Sequence, residues 1–183
     1  LLDLTNRISQ GGATFKPLED GSLLVEGKNA DHDEYTFTAA TALPRLTGLR
    51  LDALAHPSLK NGGPGRADNA NFALSRIRVF VKSAEAAERE IKIAKAEADF
   101  EQNQGGLSVA SSLDDNPQTG WAVDPQFGKD HAAVFETDTD LGFEGGTLLE
   151  FTLEFNGNNR HNIGRPRISV STAPRPVGLD GDA

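Results

Sequence analysis

The segment TLLEFTLEF, residues 147–155, alternates apolar and polar side chains along its length. Leu149, Phe151 and Leu153 stand at every second position, with Glu or Thr between them. A period of two is typical of a β-strand that buries one face and exposes the other. The segment therefore predicts a strand whose apolar face belongs to the core of a sheet.

Similar alternating runs lie on both sides of this segment, separated by turns that use many of the 19 glycines and 9 prolines. They are YTFT (35–38), LTGLRLDAL (46–54), NFALSRIRVFV (71–81), HAAVFETD (131–138) and RPRISVSTA (165–173). Asp20-Gly21 predicts a hairpin turn between two shorter strands. Short strands punctuated by turns predict an all-β domain. Its predicted core consists of Phe37, Leu49, Leu51, Phe72, Leu74, Ile77, Val79, Phe135, Leu149, Phe151, Leu153, Ile168 and Val170.

The order of these runs repeats once along the chain. An aromatic strand, a long strand, a Gly-Arg loop and a further strand occur as YTFTA, LTGLRLDAL, GPGR and FALSRIRV. They occur again as AVFET, TLLEFTLEF, IGR and PRISVS. Two copies favour two related Greek-key halves over a solenoid, which needs more repeats. The predicted fold is therefore a single antiparallel β-sandwich of the jelly-roll type.

Residues 84–100 are the ambiguous part of this pattern. Their Ala, Glu and Lys content favours a helix, yet Ile91, Ile93, Ala96, Ala98 and Phe100 keep a period of two with one slip near Ala94. We predict a short helix or loop over residues 84–89 and a strand over residues 90–100. A helix through the whole stretch is the alternative.

The length and the net charge of the chain limit the number of domains and the classes of partner that we expect. The chain has 183 residues, enough for one well-buried core, and we predict one domain over residues 1–173 with a linker or tail over 174–183. The net charge of -9 argues against nucleic acid or anionic surfaces as partners. No apolar run reaches the roughly 20 residues that a membrane helix needs. The chain starts at Leu1 without Met, so we expect a piece of a longer protein that is monomeric in isolation.

The segment SSLDDNPQTGW, residues 111–121, gathers oxygen-bearing side chains in one turn and ends at the only tryptophan, Trp121. Asp114, Asn116 and Thr119 offer the kind of oxygen ligands that calcium binds. The same residues also form Asx-turns, in which their side chains satisfy nearby main-chain amides. The residues themselves leave both interpretations open.

A second polar loop, residues 56–72, contains Arg66, Asp68, Asn69 and Asn71 beside several glycines. These four side chains are the candidate ligand-binding residues, at the rim of a sugar site. The alternative is a structural connection in which Arg66 pairs with an acidic neighbour and the asparagines cap turns. Phe127 and Phe143 are the aromatic residues in loops that could stack on a sugar ring.

The sequence contains no complete catalytic template, so we predict no catalytic residues and no enzyme. No G-x-S-x-G elbow occurs, and the acidic run ETDTD (136–140) lacks the second glutamate that a sandwich-fold glycosidase needs. His32, His56, His131 and His161 are scattered without metal-binding spacing, and we expect them to be solvated.

The segment SLDDNPQTGW resembles the A-x-D-G-D/N-x-x-T-x-W pattern of galactose-binding-like jelly rolls, the group of discoidin domains and many carbohydrate-binding modules. Residues 12–173 are also similar to an accessory domain of large planctomycete proteins with cytochrome-c-like segments. The resemblance rests on LRLDAL, GPGRADNANFALSRIRV, TGWAV, HAAVFET and GRPRISVS in this order. It implies that Asp114, Asn116 and Thr119 bind calcium and that Trp121 packs beneath them.

The chain departs from this pattern at two points. Asp115 stands where the pattern has glycine, and no acidic residue can be assigned as the further ligand that a late strand often provides. The function implied by the resemblance is a non-catalytic, glycan-binding accessory module of a periplasmic or extracellular protein. The alternative is an intrachain domain that positions neighbouring haem or enzyme domains and binds no free ligand.

Overall fold

The fold consists of two antiparallel sheets and a hairpin in a computed structural model that describes residues 1–180. Sheet I contains, in spatial order, β1 (Thr5–Ser9), β4 (Asp33–Thr41), β10 (Thr147–Phe155), β6 (Arg76–Lys82) and β7 (Arg89–Glu90). Sheet II contains β11 (Pro166–Ser171), β5 (Leu46–Ala53), β9 (His131–Leu141) and β8 (Ile93–Ala98). The hairpin pairs β2 (Ala13–Pro17) with β3 (Leu23–Gly27). Short 3-10 helices occupy Lys60–Gly62 and Val109–Leu113.

In each half the chain crosses from one sheet to the other and back, which makes the sandwich a jelly roll. The chain passes from β4 in sheet I to β5 in sheet II and back to β6, and then from β9 in sheet II to β10 and back to β11. The two inner faces share one buried apolar cluster. The predicted all-β, antiparallel jelly-roll sandwich is therefore confirmed.

The strand order also contains the internal repeat that the sequence predicts. The neighbours β4, β10 and β6 in sheet I correspond to β9, β5 and β11 in sheet II. The two Gly-Arg segments meet where Gly65 and Ile163 form an isolated antiparallel bridge. The segment before each half also bonds to the third strand of the other half, from Leu2 N–H to Ile168 O of β11 and from Ile91 N–H to Val79 O of β6.

The predicted core is confirmed: alternation along the strands directs one set of side chains between the sheets, and Phe72 and Leu74 join it from the loop that precedes β6. Twelve of its thirteen members are buried, and Val170 is partly buried against them. Tyr35, Phe155 and Trp121 add large buried side chains. The rings of Tyr35 and Phe155 lie 4.8 Å apart.

The predicted strand over residues 90–100 is wrong in its bounds. The chain forms the two-residue strand β7 in sheet I, and Ile91 is buried where the chain crosses to β8 in sheet II. The slip near Ala94 corresponds to the register shift between Ile93 and Lys95. No α-helix occurs within residues 1–180, so the helical alternative is excluded.

Residues 174–180, here called the C-terminal strap, lie across the outer face of sheet II. Arg175 Nε donates to Thr137 O at 2.9 Å, and Val177 N–H donates to a carboxylate oxygen of Glu136 at 2.8 Å. The Val177 side chain is buried above Gly48. The predicted linker thus begins as a segment packed on the sheet, and its last residues, 181–183, lie outside the described part of the chain.

Candidate functional site

Three long connections meet at one end of the sandwich, here called the loop end. They are residues 54–75 between β5 and β6, residues 99–130 between β8 and β9, and residues 156–165 between β10 and β11. Main-chain hydrogen bonds of 2.9 Å join the first loop to each of the others, from Ala73 N–H to His161 O and from Leu74 N–H to Trp121 O. The loops therefore form one connected surface.

Two of the four predicted ligand-binding residues are used to hold the loop end together. The guanidinium of Arg66 donates to the carbonyls of Gly27 and Lys28 at 2.8 and 2.9 Å, instead of pairing with an acidic neighbour. Asn71 is buried, and its side chain donates to Gln102 Oε1 and accepts from Val123 N–H, each at 3.0 Å. These contacts fix the 56–72 loop to the hairpin and to the 99–130 loop.

The other two predicted residues face the solvent. Asp68 and Asn69 are exposed, and the Asn69 side-chain oxygen accepts the N–H of Asn71 at 3.0 Å, so it caps a turn. Phe127 is half-buried, and Gly128 N–H donates to Gly63 O at 2.7 Å beside it. Phe143, in contrast, packs against the core at the other end of the sandwich. Asp68, Asn69 and Phe127 therefore lie on loops that hydrogen bonds fix to one another.

Trp121 anchors the 99–130 loop from below, as the resemblance implies. Its side chain is fully buried, and its Nε1–H donates to Phe100 O at 2.9 Å. The ring meets Phe72 edge-on at a centroid distance of 4.9 Å. A buried indole that satisfies its N–H combines apolar burial with a fixed orientation.

The 111–121 turn brings the three predicted calcium ligands together, and they bond to one another. Thr119 Oγ1 donates to the Asp114 carboxylate at 2.9 Å, and Asp114 also accepts Asn116 N–H at 2.8 Å. The side-chain oxygen of Asn116 accepts Gln118 N–H at 3.0 Å. These are the contacts of successive Asx-turns.

The residues as they lie do not fit a resident calcium ion. Calcium takes six to eight oxygens at about 2.3–2.6 Å, whereas Asp114, Asn116 and Thr119 point at neighbouring amides and at each other. Within residues 1–180, no group of three or more His, Cys, Asp or Glu side chains gathers around a common point. These contacts do not support calcium binding, which stays a prediction.

One acidic residue of a late strand does lie beside this turn. Glu154 of β10 lines a small cavity of about 40 Å³ together with Arg76, Asp114, Asp115 and Asn116. Burial raises the pKa of Glu154, and the nearby charge of Arg76 partly opposes that effect. Glu154 could not be singled out from the sequence, because nothing local distinguishes it from Glu150, the other acid of β10.

His131 is not solvated as predicted, and it stabilises the base of the 99–130 loop. The ring is buried, with Nδ1 2.9 Å from Asp99 Oδ2 and Nε2 2.7 Å from Gln126 O. Burial is the largest influence on Asp99, but the hydrogen bonds from His131 and Ala132 N–H together outweigh it and lower the pKa of Asp99. The contact between His131 and Asp99 is structural, because it ties the two ends of the loop.

The acidic run of residues 136–140 is also used in structural contacts. Glu136 accepts Val177 N–H from the C-terminal strap. Asp140 pairs with Arg175 and Arg45, and the hydrogen bond from Arg175 is the main cause of its lowered pKa. A general acid needs the opposite, a carboxyl group whose pKa is raised. This part of β9 therefore offers no acid–base pair.

Comparisons with known proteins add the following findings. No family model and no curated protein matches the chain. Among solved structures, it is similar to a family 35 carbohydrate-binding module from an environmental isolate, with 10% identity over 95% of both chains and a TM-score of 0.39. It is also similar to Xyl-CBM35 in complex with a glucuronic acid containing disaccharide, with 9% identity over 95% of this chain and 94% of that chain and a TM-score of 0.38. The fold assignment itself rests on the strand topology.

No helix within residues 1–180 has the length and apolar character needed to cross a bilayer.

Proposed function

We propose that this chain is a non-catalytic accessory module that binds a neutral glycan at its loop end, in a periplasmic or extracellular protein. The observation that supports this proposal is the fixed frame around Asp68, Asn69 and Phe127. Asn71 and Arg66 bond to the main chain of distant segments, so the main chain that carries Asp68 and Asn69 between them is held in place. Pre-organised polar groups bind ligands at a lower entropic cost than mobile ones.

The chemistry of the exposed groups suits sugar hydroxyls. Asp68 offers a carboxylate that accepts hydrogen bonds, and Asn69 offers an amide that donates them. Phe127 adds an apolar ring face that is not packed against the core. Because the net charge is -9, a neutral glycan fits this surface better than an anionic one. Calcium is left out of the proposal because its predicted ligands are bonded to one another.

Affinity electrophoresis through gels that contain neutral polysaccharides tests this proposal, after a glycan array has identified the ligand. We expect retardation of the wild-type protein and a loss of affinity of roughly tenfold or more in Asp68→Ala and Phe127→Ala, equal to about 1.4 kcal/mol or more. Asp138→Ala is the control, because Asp138 is exposed and lies on β9, away from the loop end. A wild-type protein that binds no glycan on the array and migrates freely in every gel refutes the proposal.

A second function, a domain that positions neighbouring haem or enzyme domains, is favoured by the C-terminal strap. Arg50 Nη1 donates to Leu179 O at 2.6 Å, and Arg175 and Val177 hold the preceding residues. Such contacts would give a following segment a fixed direction. Small-angle scattering of a longer chain distinguishes the two, since only this second function requires a rigid arrangement of domains.

A further inference from the structure

Arg76 connects the 111–121 turn to the sandwich. It is the first residue of β6, and its Nη2 lies 2.8 Å from Asp115 Oδ1 in the turn. The same guanidinium lines the cavity of about 40 Å³ that Asp114, Asn116 and Glu154 also line. A positive charge is therefore already bonded to an acid of the turn and lies opposite the acid of β10 in the strand register.

The chain departs from the calcium-binding pattern at the residue that Arg76 contacts. Asp115 replaces the glycine of that pattern, and Asp115 is the residue that pairs with Arg76. Arginine carries a permanent charge and presents several donors in a fixed plane. It can thus neutralise carboxylates around it without a metal ion.

We propose that Arg76 is a built-in counter-cation, which takes the place of calcium in fastening the 111–121 turn to β6 and β10. Its charge repels a divalent ion from the cavity, and its side chain takes up space that the ion would need. The hydrogen bonds among Asp114, Asn116 and Thr119 then close the turn without metal. The module is therefore independent of calcium.

Thermal unfolding of the 183-residue chain in calcium and in chelator tests this inference. We expect the same Tm in both solutions for the wild-type protein and for Arg76→Lys, which keeps the charge. In Arg76→Ser the acids lose their counter-charge and the cavity widens, so we expect a higher Tm in calcium than in chelator. Arg78→Ser is the matched control, because Arg78 lies two residues further along β6 and pairs with Glu90 instead.

Terbium luminescence excited through Trp121 gives a second readout that does not depend on unfolding. We expect no sensitised emission from the wild-type protein and emission from Arg76→Ser. A wild-type protein that gains stability in calcium, or that sensitises terbium, overturns the proposal. An Arg76→Ser protein that behaves like Arg78→Ser in both assays also overturns it, because the guanidinium then excludes no ion.

Discussion

The side-chain oxygen of Asn71 accepts a hydrogen bond of 3.0 Å from the main-chain N–H of Val123, 52 positions further along the chain. The Asn71 amide donates to Gln102 Oε1 in the same loop as Val123. A single buried side chain thus joins the two longest loops of the loop end. The sequence marks Asn71 only as a member of a polar cluster, and its partners explain why it is buried.

Replacement of Asn71 by alanine therefore lowers stability more than replacement of an exposed asparagine. Asn71→Ala leaves the N–H of Val123 buried without an acceptor, at a cost of about 1–3 kcal/mol in the free energy of unfolding. Urea denaturation measures this difference. Asn158→Ala, at an exposed position after β10, is the control. Equal unfolding free energies for the two variants would show that Asn71 does not fasten the loops.

Two substitutions of Trp121 distinguish the contribution of its ring packing to stability from that of its hydrogen bond. Trp121→Ala removes the ring that packs against Phe72, and we expect the free energy of unfolding to fall by about 3–5 kcal/mol. Trp121→Phe keeps most of the ring but leaves Phe100 O without its donor, at about 1–3 kcal/mol. Urea unfolding followed by far-UV circular dichroism measures both values without the tryptophan signal. An equal loss in the two variants would contradict the importance of ring packing.

The fold could be predicted from the sequence because its strands bury only one face. In β10, Leu149, Phe151 and Leu153 alternate with polar residues, so the period of two is visible in the sequence. The segment around Ile91 could not be placed in the same way. There the chain changes sheets within two residues, and neither β7 nor the crossing is long enough to show a period.

The candidate site was predictable in composition but not in role. Arg66 and Asn71 are recognisable as polar loop residues, yet their partners lie in segments far away in sequence. His131 gave no signal at all, because its acidic partner Asp99 lies 32 positions earlier. Long-range partners of this kind follow from the assembled jelly roll, which local patterns do not describe.

Stability at acidic pH depends on Asp99. Hydrogen bonds from His131 and Ala132 N–H outweigh burial and hold its folded-state pKa below the ordinary value of 3.8. A lowered pKa means that the ionised carboxylate stabilises the fold above pH 3.8, and that this contribution is lost as pH falls through the folded-state pKa. We expect Asp99→Asn to lower the Tm at neutral pH. Below about pH 4, close to the ordinary pKa of the carboxyl group, its Tm should fall less steeply than that of the wild-type protein.

Thermal melts across the acidic range measure this effect. Asp138→Asn is the control, because its carboxylate accepts only a long bond of 3.3 Å from the adjacent Thr139 among the described side chains. If Asp99→Asn and Asp138→Asn show the same dependence of Tm on pH, the stabilisation is not due to the Asp99–His131 pair.

Gly65 tolerates no side chain, because the backbone of the loop approaches it closely. A Cβ at this position would overlap the carbonyl of Asn71 and lie 2.6 Å from the N of Phe72. Relief of this overlap must displace the bridge between Gly65 and Ile163. Overpacking typically lowers the free energy of unfolding by about 1–3 kcal/mol. We expect Gly65→Ala to lower it by an amount near the top of that range or above it. Gly178→Ala, where nothing lies within 4 Å, should leave the Tm unchanged in the same melting experiment.

Truncation tests whether the C-terminal strap belongs to the domain. A chain that ends at Ala173 loses the buried Val177 side chain and the bonds of Arg175 to Thr137. Burial of one valine contributes roughly 1.5–3 kcal/mol, so we expect a clear fall in Tm. A chain that ends at Asp180 keeps these contacts and serves as the control. A lower Tm after truncation at Ala173 would show that the domain includes the C-terminal strap. An unchanged Tm would support the boundary at residue 173 that the sequence predicts.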